Sequence, residues 1–151
     1  MNLSEPEARS RLATARVARL ATADASGRPH LVPVTFAVDS TESAIYIAID
    51  HKPKTTTNLK RLRNIRENPA VSLLADHYED DWAALWWTRV DGRATVLPAD
   101  CADRQRPLDL LAAKYPQYRE HRPDGPLIVI AVSRWTGWTS EPSAGRPSKP
   151  D

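Results

Sequence analysis

With 151 residues and 41% apolar content, the chain suits one compact domain with its own core. Twenty-one basic side chains face nineteen acidic ones, and the formal charge of +2 is too balanced to indicate a polyanion partner. No run of eighteen apolar residues is present, the opening MNLSEPEARSRL lacks the layout of a secretion signal, and Cys101 is the single cysteine, so the expectation is a cytoplasmic protein without membrane spans or internal disulfide.

Ser4 followed by Glu7 forms a capping-box pattern and predicts a helix to about Ala15. RVARLAT alternates as a strand, and ADASGRP is a turn in which Gly27 is free to take positive φ. HLVPVTFAV reads as a second strand, with Pro33 pointing to an edge or a bulge. DSTES is a turn and AIYIAID a third strand, and the three would make an antiparallel meander. TTTNLKRLRNIREN carries Leu59, Leu62 and Ile65 at helical spacing and stops at Asn68–Pro69.

AVSLLADHY is a fourth strand, and AALWWTRVDGRATVLP a long fifth one bent near Gly92. ADCADRQRPLDLLAAKYPQY holds a broken helix with Leu108, Leu111 and Ala112 on one face. PLIVIAVSRWTGW is the last strand, its apolar run predicting burial on both sides. The fold class expected is mostly β (α+β): a six-stranded antiparallel barrel, closed or nearly closed, with two to three peripheral helices over residues 1–140. The polar, proline-rich residues 141–151 are expected to form a disordered tail.

Positive charge is gathered in one place. Between His51 and Arg66 there are six Lys or Arg residues and no Asp or Glu. One reading is a solvated helix face preceded by a basic loop. The other is an anion site. HKPK lies between a strand end and a helix start, where unpaired N–H groups and the helix dipole favour phosphate, and Thr55, Thr56 and Thr57 add hydroxyl donors there.

Five tryptophans are many for one small chain. On a strand Trp86 and Trp87 point to opposite faces, so one fills the barrel and the other meets a helix, a partner or a flat ligand. Trp135 and Trp138 likewise face opposite ways. His30, His51, His77 and His121 have no metal-ligand spacing, so no metal site is expected.

Three segments in order carry a family resemblance: ARLATADASGRPHLVPVTF, with a strand, a Gly-x-Pro turn and a strand; NIRENPAVSLL; and TRVDGRATV. The chain resembles the pyridoxamine-phosphate-oxidase-like flavin and deazaflavin family over roughly residues 3 to 138, and is most similar to the actinobacterial branch described as coenzyme F420-dependent. The resemblance implies a split β-barrel that dimerises, with the cofactor in a groove between two subunits. It implies that the basic stretch holds the cofactor's anion, through Arg61 three residues before Asn64 and through Lys52, Lys54, Thr55 and Lys60 around it, with Asp50 at the head of the stretch also among the cofactor-binding residues. Val32, Pro33, Val34 and Thr35 would run along the ring. Two departures from the flavin oxidases bear on the cofactor: Val32 stands where they carry a phosphate-binding arginine, and Trp87 where they carry a glutamine near the ring.

The resemblance implies an oxidoreductase passing a hydride from reduced coenzyme F420 to a small organic substrate, chemistry that belongs mainly to the cofactor. It names no catalytic side chain. An FMN-dependent oxidase or reductase of the same fold and a cofactor- or haem-binding protein without turnover are the rival readings. A nucleic-acid module built on the basic helix has no reader motif in the sequence.

Overall fold

The computed structural model describes residues 1–49 and 59–140. Helix α1 (Glu5–Thr14) starts at the capping box: Ser4 Oγ accepts the Glu7 N–H at 3.3 Å, and Glu7 Oε2 accepts the Ser4 N–H at 3.0 Å. Strands β1 (Ala18–Ala23) and β2 (Pro29–Val34) form a hairpin. Its turn is closed by the Asp24 carboxylate, which accepts the N–H groups of Ser26 and Arg28 at 2.9 Å each, and by Gly27 at φ +81°.

Strands β3 (Ala37–Asp39) and β4 (Ala44–Ala48) follow, then helix α2 (Lys60–Glu67) and strand β5 (Ala70–His77). The long strand β6 (Trp86–Leu97) leads to helices α3 (Gln105–Lys114) and α4 (Pro116–Glu120), and strand β7 (Leu127–Thr139) completes the described chain. None of these helices is long and apolar enough to cross a membrane.

The strands form one antiparallel sheet in the order β2-β1-β5-β6-β7-β4-β3. This agrees with the expected class and, among the described residues, corrects the counts from six strands to seven and from two or three α-helices to four. HLVPVTFAV is not one strand: the chain turns at Thr35 and Phe36, between β2 at one edge of the sheet and β3 at the other. The meander is corrected for the same reason. β4 pairs with β3 and with β7 rather than with β2, because the turn carries the chain across the gap between the two edges. The long sheet thus curls until its edges approach, and the residues of the turn lie at the split.

Curling needs a bend, and the sequence supplies it at Gly92. The β6/β7 register slips between Asp91 and Gly92, leaving Ser133 opposite no partner. A Cβ at Gly92 would lie 2.4 Å from the Ala131 carbonyl oxygen, so glycine is required for the close approach of the two backbones.

Period-two alternation fills the interior. Leu20, Leu73, Val90, Ile130, Ile45 and Ile47 point inward and are fully buried, joined by Leu62 and Ile65 of α2 and Leu12 of α1. On the outer face of β4, Ala44, Tyr46 and Ala48 pack against Leu111 and Ala112 of α3, so β4 is buried on both sides. Buried Asp39 fastens α3 to this face. Its carboxylate accepts two bonds from Arg106, at 2.6 and 2.8 Å, and one from the Tyr46 hydroxyl at 2.7 Å. The Arg106 guanidinium holds the Asp39 carboxyl far below the usual carboxylate range, and burial, with Asp39 beside it, pushes Tyr46 up to about 12.

Candidate functional site

Four of the predicted site residues, Pro33, Val34, Thr35 and Arg61, meet at the split. Pro33, Val34 and Thr35 leave the edge strand β2, Val17 precedes β1, Ala48 ends β4, and Arg61 stands in the first turn of α2; together they line a pocket of about 190 Å³. Three local choices place them. β2 pairs only with β1 among the described strands, so its other edge is open, as Pro33 led us to expect. The first turn of α2 carries no acidic residue, so the positive helix start and Arg61 act in the same sense. Leu62 and Ile65, buried beneath the sheet, set the rotation of α2 that turns Arg61 to the pocket.

The remaining predicted residues are placed differently. The Val32 side chain is half-buried against the core, opposite Leu20 on β1, and does not line the pocket. Lys60 does not line the pocket either; it acts on the carboxyl of Asp24. Trp87 lies on the outer face of β6, opposite Asp76 and Trp138, with the Arg89 guanidinium 5.6 Å from its ring centroid. Its neighbour Trp86 faces the core and stacks on His77 at 6.2 Å, so the two rings do part to opposite faces. Within one chain Trp87 is not brought to the Arg61 pocket. Asp50, Lys52, Lys54 and Thr55 lie outside the described residues.

A second cavity, of about 400 Å³, shares Thr35 with the first and is lined by Arg16, Tyr115, Gln117 and Tyr118. The sequence reading missed these residues. The signal available was the segment KYPQY, where two tyrosines and a lysine follow the end of an apolar helix face. Here Thr35 Oγ1 and the Tyr118 hydroxyl share a bond of 2.8 Å. The Tyr115 hydroxyl donates to the Arg16 carbonyl at 3.0 Å and accepts the Phe36 N–H at 3.1 Å. These two tyrosines therefore hold the turn at the split against α3 and α4. Two larger clefts, of about 630 and 670 Å³, lie along the second half of β6 and contain none of the predicted residues.

A family model described as pyridoxamine 5'-phosphate oxidase matches residues 4–139. Among solved structures, the chain is similar to a FAD-binding protein from Mesorhizobium loti, with 24% identity and a TM-score of 0.69 over 91% of this chain and 93% of that one. It is similar to a conserved hypothetical protein from Mycobacterium tuberculosis, with 20% identity and a TM-score of 0.71 over 97% and 95%. It is also similar to HutZ, a haem storage protein from Vibrio cholerae, with 18% identity and a TM-score of 0.63 over 89% and 90%. At these identities the likeness is one of fold. No curated protein matches the chain.

Proposed function

The chain belongs to the pyridoxamine 5'-phosphate oxidase family, and on that premise we propose that it is an oxidoreductase using reduced coenzyme F420 as hydride donor to a small organic substrate, working as a homodimer. The observation that carries the reading is the meeting of Arg61 with the open edge of β2 at one pocket. Arg61 would pair with the cofactor's phosphodiester, and the backbone of Val34 and Thr35 would run beside the ring. Val17, Val34 and Ala48 would keep water from its face. When bound, the cofactor supplies the hydride; the protein's part is to hold and orient it.

The size of the pocket supports a dimer. Its volume of about 190 Å³ falls short of the roughly 300–1,000 Å³ usual for a cofactor site. A tricyclic ring therefore needs walls beyond the described residues, one of which a second subunit would supply. A dimer by light scattering at micromolar concentration is the expected result, and a monomer would count against this part.

Charge supports the deazaflavin over FMN. Val32 brings no cation to the groove, and the basic residues Lys52, Lys54, Lys60 and Arg61 are spread over ten positions of the sequence rather than gathered at one spot. A compact phosphate dianion gains most from several donors at one spot, whereas a phosphodiester with an extended acidic tail needs charge spread along a groove. Titration of the apo protein with each cofactor at one ionic strength tests this. At least tenfold tighter binding of F420 is expected, a difference of about 1.4 kcal/mol. Equal or tighter binding of FMN would transfer the reading to an FMN-dependent enzyme of the same fold.

A further inference from the structure

Next to the second cavity lies a cation with no counter-charge among the described residues. The Lys114 Nζ is buried and has no hydrogen-bond partner among them. It sits 3.8 Å from the centroid of the Phe36 ring and 5.2 Å from that of Tyr115. Arg16 lies against the same tyrosine, its guanidinium 4.7 Å from the ring centroid, and donates to the Lys114 carbonyl at 3.2 Å. Burial, and then the charge of Arg16, push the Lys114 amine down to about 8. The groups acting on it are thus a second cation and two aromatic faces, and among the described residues no carboxylate forms an ion pair with either cation.

Such an arrangement is costly unless something offsets it. Arg16 is exposed and keeps its hydration, but the buried Lys114 ammonium without an acceptor forfeits its own, and the neighbouring positive charge adds to that cost. Cation–π contact recovers only about 0.5–2 kcal/mol. Arg16, Thr35, Tyr115 and Tyr118 line the cavity, the Thr35 and Tyr118 hydroxyls bonded to each other and that of Tyr115 to the Arg16 carbonyl and the Phe36 N–H. A negative group placed there would meet a forked donor directly and feel the second positive charge nearby.

We propose that this cavity is an anion subsite for a carboxylate group of a molecule lying in the groove, with Arg16 as its direct partner and Lys114 as a positioning charge next to it. Thr35 lines both this cavity and the Arg61 pocket, so the two spaces adjoin. The subsite stands on the two cations alone; only the ownership of the carboxylate, substrate or cofactor tail, rests on the cofactor reading above.

Benzoate and its neutral counterpart benzamide are the probes, titrated calorimetrically into the apo protein in a buffer free of multivalent anions. Benzoate is expected to bind at least tenfold more tightly than benzamide. Lys114→Met and Arg16→Gln should each remove most of that preference and leave benzamide unchanged. A second readout separates electrostatics from packing. If benzoate binds tenfold better beside a charged Lys114 than a neutral one, linkage requires the amine to titrate one unit higher when benzoate is bound. NMR of the lysine side chain reads this directly in the wild-type protein. Repeating the benzoate titration with F420 or FMN bound identifies the owner: loss with F420 alone marks the cofactor tail, and retention with both marks the substrate. Equal affinities of the two probes, no binding of benzoate, or an unmoved Lys114 amine would overturn the subsite. If neither cofactor binds while the benzoate preference holds, the cofactor reading fails and the subsite remains.

Discussion

Replacing Lys114 by methionine should stabilise this protein. In the folded chain the amine titrates at about 8 rather than at its ordinary 10.5. At about 1.4 kcal/mol per unit, the charged amine carries a penalty of up to roughly 3 kcal/mol at neutral pH. Water reaches part of the side chain and reduces that figure, and the lost contact with Phe36 takes back some of the gain. Methionine keeps the length and remakes a favourable sulfur–aromatic contact. The net expectation is about 1–2 kcal/mol, or roughly 3–6 °C in Tm for a chain of this size.

The sign fixes the pH window. The folded amine binds its proton less tightly than the unfolded one, so the penalty is fully present below about 8 and fades as pH rises towards 10.5. Urea denaturation of both proteins at pH 7 and at pH 10 measures this. The advantage of the variant should be largest at pH 7 and shrink markedly by pH 10. A variant no more stable at pH 7, or one whose advantage is the same at both pH values, would refute the reasoning.

Arg61→Ala should weaken cofactor binding by about 1.5–3 kcal/mol, less at high salt, with no loss of Tm beyond about 1 °C; unchanged affinity in a titration removes Arg61 from the site. Asp39→Asn strands Arg106 and Tyr46 and should cost about 2–4 kcal/mol in chemical denaturation. In the wild type the Asp39 contribution is complete above the ordinary carboxylate pKa of 3.8 and is lost only as acid carries the pH down through its lowered folded value, so stability should hold flat from pH 7 to 5 as far as this group is concerned. Gly92→Ala forces a methyl against the Ala131 carbonyl and should cost at least about 2 kcal/mol by the same assay, whereas Gly125→Ala, which meets nothing, should change stability by less than about 1 kcal/mol.

Much of this fold is legible along the chain, because the signals are local. Ser4 and Glu7 cap α1 across three residues, Asp24 and Gly27 close the first hairpin, and Asn68–Pro69 ends α2. Leu62 and Ile65, one turn apart, announce the buried face of α2, and Pro33 marks β2 as an edge. The alternation of β6 parts Trp86 from Trp87, and Gly92 marks its bend. Of the candidate site, the sequence by itself determined that Pro33, Val34, Thr35 and Arg61 belong together, through a family pattern rather than through any local period.

The tertiary structure alone decided how the sheet closes and what stands at its split. An apolar run such as HLVPVTFAV is compatible with one strand or two, and only the curl of the sheet makes the chain turn at Thr35 and Phe36. The second cavity was likewise invisible. Its bonds join Thr35 to Tyr118, Phe36 to Tyr115 and Arg16 to Lys114, 79 to 98 positions apart in the sequence. Contacts at such separations leave no periodicity to read, because they arise when two distant surfaces, each patterned for its own core, are laid against one another. The burial of Lys114 and its closeness to Arg16 are consequences of that packing.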